Sequence, residues 1–203
     1  MLKFEGEMGV KDEKKSALDP RIVRTRQLIR GAFIELIQEM DIEKLSVNKI
    51  AQRATINRVT FYLHYRDISE MMEKMAEEMI EHIERIVNEY APEYENKRIE
   101  EAWPVLVKLL EHFADNAEFY KVVLATKHTP IFTERLFKLL SRLVQGKINR
   151  AEAEVEIKES ANHKEIAIWF GSSALIGTII TWLRHDMPYS PHFLAKRLIL
   201  LMT

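Results

Sequence analysis

Apolar residues recur at three- and four-residue steps along most of this chain, and no other feature restricts its fold as strongly. This spacing is typical of helices that bury one stripe of side chains and expose the opposite side. Only six glycines and six prolines interrupt the 203 residues, so the chain has few positions suited to turns. No region is rich in strand signals. The pattern predicts an all-α protein of about nine helices.

Two further properties narrow the class of protein. Hydrophobic residues make up 47% of the chain, enough for a sizeable core, and cysteine is absent. Without cysteine there can be no disulfide framework, thiolate metal site or thiol nucleophile, and the composition suits a reducing cytoplasm. Residues 1–20 carry closely spaced charges and no apolar run of signal-peptide length. We expect a flexible polar tail there and a cytoplasmic protein.

Helix boundaries are marked at several points. A first amphipathic helix is predicted over Arg21–Met40, and a long one over Met71–Tyr90 is followed by Pro92, which makes continuation unfavourable. Helix starts are indicated where a capping residue precedes a helical pattern or a proline. These starts are a capping box at Asp115–Glu118 and the pairs Thr129-Pro130 and Ser190-Pro191, with breaks predicted near 93–97 and 149–160.

The segment Ile166–Leu183 contains no charged residue and is long enough to be weighed as a membrane span. Gly171, Ser173 and Gly177 dilute its hydrophobicity, however, and we expect a helix buried in a core rather than in a membrane. Small side chains allow a second helix to approach closely. We therefore predict a dimer interface formed by this helix and the last one, Pro191–Met202.

Charge is distributed unevenly along the chain. The formal net charge is only −1, so the whole molecule gives no sign of nucleic-acid binding. Residues 21–66, however, contain nine basic and four acidic residues, whereas residues 68–203 contain 17 basic and 21 acidic ones. A basic segment joined to an acidic body is consistent with a module that faces a polyanion.

Residues 46–63 have the pattern of two short helices joined by a tight turn. Ser46 caps the first helix, and Asn57 caps the second, Arg58–Leu63. Held by the longer helix in front, such a pair forms a helix-turn-helix, which inserts its second helix into the major groove of DNA. The expected inward residues are Val47, Ile50, Ala51 and Ala54 on the first helix, Ile56 in the turn, and Val59, Phe61 and Leu63 on the second helix.

Each role in DNA binding has a candidate residue. Arg58 suits a bidentate contact with guanine, and Thr60 suits a thymine methyl group or a phosphate. Phosphate contacts fix the register of the protein on the duplex. Their expected donors are Thr25, Ser46, Lys49, Tyr62 and His64.

The stretch SVNKIAQRATINRVTFYLHYRD, residues 46–67, resembles the DNA-binding signature of TetR-family transcriptional regulators. The agreement covers a capped helix with I-A-x-x-A, a turn, and then T-F-Y-x-H-Y, and it extends from Arg21 to Asp67. The resemblance implies a homodimer of nine-helix subunits that binds a palindromic operator and represses transcription until a small-molecule ligand releases it. By position, it places DNA contacts on Thr25, Ser46, Val47, Arg58, Val59, Thr60, Tyr62 and His64.

The sequence departs from the family pattern at two positions. Thr55 stands where the turn often has glycine, and a left-handed conformation is costly for a β-branched residue. We therefore expect a turn of somewhat different shape. Ile68 stands where many relatives have lysine at the start of the fourth helix. Because isoleucine cannot contact the DNA backbone as that lysine does, we expect this contact from Arg66 instead.

The remaining two-thirds of the chain are expected to bind the ligand. We predict a DNA-binding domain at 21–67, after the tail, and a ligand-binding and dimerisation domain of helical bundle type at 68–203. A ligand pocket there would have aromatic walls, with His112, His128 and Asn162 as possible polar contacts. Its candidate residues are Trp103, His112, Phe113, Phe119, Tyr120, Phe137, Trp169 and Phe170.

Two other functions are open to a chain of this kind. One is an interaction protein that uses DNA only to position a surface for other proteins, and the other is an enzyme or ligand carrier built on a helical bundle. The sequence has no P-loop, G-x-S-x-G, dinucleotide-binding or H-E-x-x-H motif. We therefore expect no catalytic residues, no metal and no cofactor.

Overall fold

The computed structural model describes residues 19–90, 102–125, 129–155 and 161–201. Within these ranges the regular structure is helical and no strand occurs, which confirms the predicted all-α class. The helices are α1 (Pro20–Glu39), α2 (Val47–Arg53), α3 (Arg58–His64), α4 (Ile68–Tyr90), α5 (Ala102–Asp115), α6 (Ala117–Ala125), α7 (Pro130–Val155), α8 (Ala161–Arg184) and α9 (Pro191–Leu201), with a 3-10 turn at Ile42–Lys44. Nearly all of the predicted tail, 1–20, and the predicted break at 93–97 lie outside the described residues.

Helix α1 packs against both α2 and α3. It begins where the Asp19 carboxylate accepts a hydrogen bond from the Arg21 N–H at 2.9 Å, with Pro20 at the first helical position, where a missing N–H has no cost. Leu28, which the three- and four-residue spacing of apolar residues in this helix predicts to be buried, is instead exposed. The buried residues of α1 are Ile29, Ala32, Phe33, Ile34, Leu36 and Ile37.

Helix α4 connects the three N-terminal helices to the rest of the chain. Its N-terminus is fixed by Asp67, whose carboxylate accepts a hydrogen bond from the Glu70 N–H at 2.8 Å, while the Glu70 carboxylate accepts one from the Arg66 N–H. The methionines and isoleucine on one face of α4 are buried and belong to a core that continues from α1 to α9. These residues are Met71, Met75, Met79 and Ile83.

Of three further helix boundaries, one lies where the sequence predicts it and two lie later in the chain. Ser190 caps α9 as expected, since its Oγ accepts a hydrogen bond from the Phe193 N–H at 3.2 Å. The capping box was placed one residue early, because α5 continues through Asp115 and α6 begins at Ala117 after a single turn residue. The predicted break at 149–160 begins too early, since α7 continues to Val155, and its remaining residues, 156–160, lie outside the described residues.

Helix α8 contains the whole uncharged segment and leaves much of it exposed. By length and composition, Asn162–Arg184 is apolar enough to span a membrane, yet only 28% of its most apolar 18-residue window is buried in this chain. The exposed residues follow one side of the helix, large at the beginning and small towards the end. They include Ile166, Trp169, Phe170, Ser173, Ala174 and Gly177.

Candidate nucleic-acid interface

Helix α2 is held firmly on α1. Ser46 caps it, its Oγ accepting a hydrogen bond from the Lys49 N–H at 3.4 Å. The Arg53 guanidinium donates to Glu35 at 3.0 Å and to both carboxylate oxygens of Glu39, at 2.9 and 2.6 Å. These hydrogen bonds lower the pKa of the Glu39 carboxyl. Arg53 therefore serves to orient α2 rather than to contact a ligand.

The turn between α2 and α3 contains the left-handed conformation that a threonine at position 55 was expected to disfavour. Thr55 adopts the left-handed conformation, with φ of 55°. The Ile56 N–H donates to the Ala51 carbonyl at 2.9 Å and the Thr55 N–H to the Gln52 carbonyl at 3.1 Å, which is the Schellman pattern of a helix C-terminus. Ile56 packs against the core. The two hydrogen bonds and this apolar contact offset the backbone strain. The prediction that Thr55 would give the turn a different shape was therefore wrong.

Thr55→Gly should stabilise the protein. A left-handed conformation costs a non-glycine residue roughly 1–2 kcal/mol. Glycine removes this strain, but it also gives the unfolded chain more conformational entropy, which offsets part of the gain in stability. We expect the free energy of unfolding in urea to rise by about 1 kcal/mol, with a smaller gain for Thr55→Ala, which removes the β-branch but keeps Cβ. A lower urea midpoint for the glycine variant would contradict the argument.

Helix α3 is short, anchored on one side and open on the other. Asn57 caps it, its Oδ1 accepting a hydrogen bond from the Val59 N–H at 2.8 Å. Phe61 is fully buried and packs edge-on against the neighbouring Tyr62 ring, with centroids 5.8 Å apart. The Arg58 guanidinium lies 5.3 Å from the centroid of the Tyr62 ring and donates to its hydroxyl at 3.1 Å. Arg58 and Tyr62 thus form one preorganised, solvent-exposed pair.

Two residues of α3 were assigned to the wrong side. Val59 and Leu63 were expected to point inward with Phe61, but they are 65% and 78% exposed. Alternation of inward and outward positions is a strand pattern, and a helix does not follow it. The signal that could have placed both correctly is their separation of two residues from Phe61, which in a helix turns them about 200° away from it.

The other predicted contact residues lie around α3, and several already have hydrogen-bond partners. Thr25 Oγ1 donates to the Arg21 carbonyl at 2.9 Å, and Lys49 Nζ donates to the Lys44 carbonyl at 2.8 Å. The Thr25 hydroxyl, which has one proton, would have to rotate to donate to a phosphate, whereas the Lys49 ammonium has three N–H donors and keeps one for a further partner. Ser46, in contrast, uses its oxygen as an acceptor in the cap, which leaves its hydroxyl proton available for donation.

The remaining predicted positions differ in how accessible they are. Val47, Thr60 and His64 are half-buried. Burial, together with the nearby charges of Arg26 and Lys74, lowers the pKa of His64, so its imidazole is mainly neutral at pH 7. Arg66, which was expected to replace the missing lysine contact, is exposed and its Nε donates to Asp67 at 3.1 Å.

Buried aromatic side chains join α1 to α5 and α6. The Arg30 guanidinium of α1 lies 3.8 Å from the centroid of the Phe119 ring, and burial lowers its pKa. Beside it, His112 Nε2 and the Tyr120 hydroxyl are 2.6 Å apart, and the His112 ring is stacked on His82 at 4.6 Å. These contacts link the helix that holds α2 and α3 to the interior of the larger bundle.

His112 should make the stability of the protein depend on pH. Burial and the neighbouring His82 lower its pKa to about 4, whereas an unfolded histidine titrates near 6.5. Between these values the unfolded chain binds a proton that the folded chain does not, so stability falls as the pH drops through this window. We expect the loss between pH 7 and 4.5 to be about 2 kcal/mol greater than in His112→Gln. Equal slopes for the wild type and His112→Gln would refute the assignment.

The predicted ligand residues do not form one cluster. Phe113, Phe119 and Tyr120 are buried within contact distance of one another, and Phe137 packs at the edge of the same core. Trp169 and Phe170 are instead exposed on α8, and the side chain of Trp103 lies outside the described residues. Two surface grooves, of about 390 Å³ between α1 and α2 and about 340 Å³ between α4 and α7, are lined by other residues.

Comparison with known proteins places this arrangement in a family. Residues 100–203 match the TetR_C_8 family, described as a transcriptional regulator C-terminal region. A relative from Bacillus subtilis strain 168, the uncharacterized HTH-type transcriptional regulator YxbF, is 24% identical over 192 residues, which cover 92% of this chain and 47% of YxbF. The chain therefore spans about half the length of that relative.

Solved structures share the fold. The regulator FadR of B. subtilis in complex with stearoyl-CoA is 22% identical, with a TM-score of 0.65 over 86% of this chain and 96% of FadR. NalD of Pseudomonas aeruginosa, the secondary repressor of the MexAB-OprM multidrug efflux pump, is 17% identical, with a TM-score of 0.68 over 89% and 96% of the two chains. With the matched family covering more than half of its residues, this chain belongs to the TetR family of transcriptional regulators.

Proposed function

We propose that this protein is a homodimeric repressor that binds a palindromic DNA operator through α3 and is released by a small molecule. The observation that carries the proposal is that α3 is anchored on one side and exposed on the other. Its inner side is fixed by a fully buried Phe61, while Arg58, Val59, Tyr62 and Leu63 project into solvent. The major groove, about 12 Å wide, accepts one helix presented in this way.

The contacts with DNA divide into base reading and positioning. Arg58, Val59, Thr60 and Tyr62 would face base edges, because they lie on the open part of α3. Phosphates would be bound around it, by residues at the starts of α1, α2, α3 and α4 and at the end of α3. These residues are Thr25, Ser46, Val47, Lys49, Asn57, His64 and Arg66.

The exposed side of α8 supports a dimer. Phe170 is 75% exposed and Trp169 is 55% exposed, an unfavourable state for aromatic residues on one helix face. At the other end of this face, a Cβ on Gly177 would meet no atom within 4 Å, which leaves room for a second helix. The exposed Tyr189, Phe193, Leu200 and Leu201 extend the apolar surface to α9. We propose that α8 and α9 of two copies pack together around a two-fold axis.

The effector would bind in the larger domain, at 68–203, and act on the DNA-binding domain at 21–67. His112, Phe113, Phe119 and Tyr120 form the junction beside Arg30, with Phe137 packed against the same core, and a ligand that displaced these rings would shift α1. FadR, which was solved with stearoyl-CoA, indicates that this fold admits a large ligand with a long acyl chain. Trp169 and Phe170 are better placed for dimerisation than for a pocket. No catalytic step is needed, and operator binding places the protein in the cytoplasm.

Selection of random duplex DNA by the purified protein tests this proposal. We expect one inverted repeat to be enriched, with half-sites about 34–36 Å apart from centre to centre. Binding to it should weaken steeply with added salt, because phosphate contacts release counterions. Enrichment of no sequence, or of single half-sites without a repeat, would contradict the proposed function.

A further inference from the structure

The residues of α3 that point most directly outward are apolar. Successive residues in a helix are rotated by about 100°, so Val59 and Leu63, two positions before and after Phe61, lie almost opposite it. Phe61 is 0% exposed, whereas Val59 and Leu63 are 65% and 78% exposed. The burial values and the helical geometry therefore agree on the outermost line of the helix.

Polar residues occupy both flanks of this line. Arg58 and Tyr62, joined by their 3.1 Å hydrogen bond, lie on one side. Thr60 and His64, both half-buried, lie on the other. An α3 inserted into a groove would thus bring two apolar side chains towards its floor and polar groups towards its walls.

We propose that Val59 and Leu63 select an operator half-site by contacting the C5-methyl groups of two thymines. In the major groove, thymine alone among the four bases presents a methyl group. A branched aliphatic side chain offers no hydrogen bond to a base edge, so its favourable contact is with that methyl group. The surrounding segment, with nine basic and four acidic residues at 21–66, favours an anionic occupant, and DNA offers one together with a groove that accepts a single helix. This inference rests on the proposed function and specifies which chemical group of the operator the protein recognises.

Replacement of thymine by deoxyuridine in the selected operator tests the inference, since it removes the methyl group and leaves base pairing unchanged. Each thymine of a half-site is replaced in turn, and the dissociation constant is measured with the full-length protein. Burying one methyl group corresponds to about a fourfold change in affinity. We expect two thymines in each half-site to show a loss of this size.

Variants of the protein assign each methyl group to its side chain. Leu63→Ala should weaken binding by about tenfold and abolish the uracil effect at one thymine, and Val59→Ala should abolish it at the other. Leu63→Met, which keeps an apolar side chain at the same exposed position, should retain the effect. Because both residues are exposed, all three variants should unfold at the wild-type urea concentration.

The possible outcomes separate this inference from the proposed function. If the operator is bound with unchanged affinity after uracil replaces every thymine, the methyl contacts are absent and the inference fails while the function stands. The same holds if the uracil effects persist unchanged in both alanine variants. If no DNA sequence is selected, the proposed function and the inference fail together.

Discussion

Phe170→Glu should convert the protein from a dimer into a monomer. Phe170 is 75% exposed on the apolar face of α8, and a two-fold axis would bury two copies of every residue on this face. A glutamate there would place two unpaired carboxylates in the interface, at a cost of several kcal/mol. Sedimentation should give twice the chain mass of 23.9 kDa for the wild type and the mass of one chain for the variant.

Loss of the dimer should also weaken DNA binding. Two linked recognition helices bind an inverted repeat with an affinity at least about 100-fold higher than one helix alone, so the variant should lose that factor. Leu28→Glu, at an exposed leucine of α1, is the matched control and should keep the mass of a dimer. A Phe170→Glu protein that sediments as a dimer would show that the interface lies elsewhere.

Phe61→Ala should remove DNA binding while leaving the dimer intact. Phe61 is fully buried between α3 and the core, and truncating such a phenylalanine typically costs about 3–5 kcal/mol. Most of the stability of a small helical unit would be lost. Because α8 and α9 are distant in sequence and pack with other helices, we expect the urea midpoint to fall and operator affinity to drop below detection, with the sedimentation mass unchanged.

Leu63→Ala provides the control within the same helix. Its side chain has the same apolar character but is exposed, so its truncation creates no cavity and should leave the urea midpoint unchanged. Equal destabilisation by the two substitutions would mean that α3 is not anchored through Phe61. The pair therefore separates loss of the helix from loss of a contact on its surface.

Local signals in the sequence were sufficient for most of the fold. The hydroxyl and amide caps at Ser46, Asn57 and Ser190 mark helix starts that the structure confirms. Apolar periodicity likewise located α1 and α4 to within a few residues. These signals depend on neighbouring residues alone, which is why a single sequence carries them.

Features that depend on distant contacts were not predictable in the same way. The turn at Thr55 keeps a left-handed conformation because two hydrogen bonds and the packing of Ile56 hold it, and residue preferences alone argued against it. The contact between Arg30 and Phe119 joins residues 89 positions apart, and no local pattern indicates it. Trp169 and Phe170 were expected in a pocket but are exposed on α8, because aromatic composition does not distinguish a cavity wall from an exposed surface.

Under the proposed function, the contact of Arg30 with Phe119 would couple effector binding to DNA binding. A guanidinium 3.8 Å from the ring centroid is a favourable contact, and it is stronger when desolvated. Movement of Phe119 would either carry α1 with it or break this contact. Since α1 packs on both α2 and α3, a shift of α1 changes the position of the recognition helix.

The most direct test of the central claim, that two copies of α3 bind two half-sites at once, is a comparison of two duplexes. One carries the selected inverted repeat, and the other has one half-site scrambled at the same length and base composition. The account predicts that the dissociation constant rises by about 100-fold or more for the scrambled duplex. Dissociation constants within twofold of each other would contradict it.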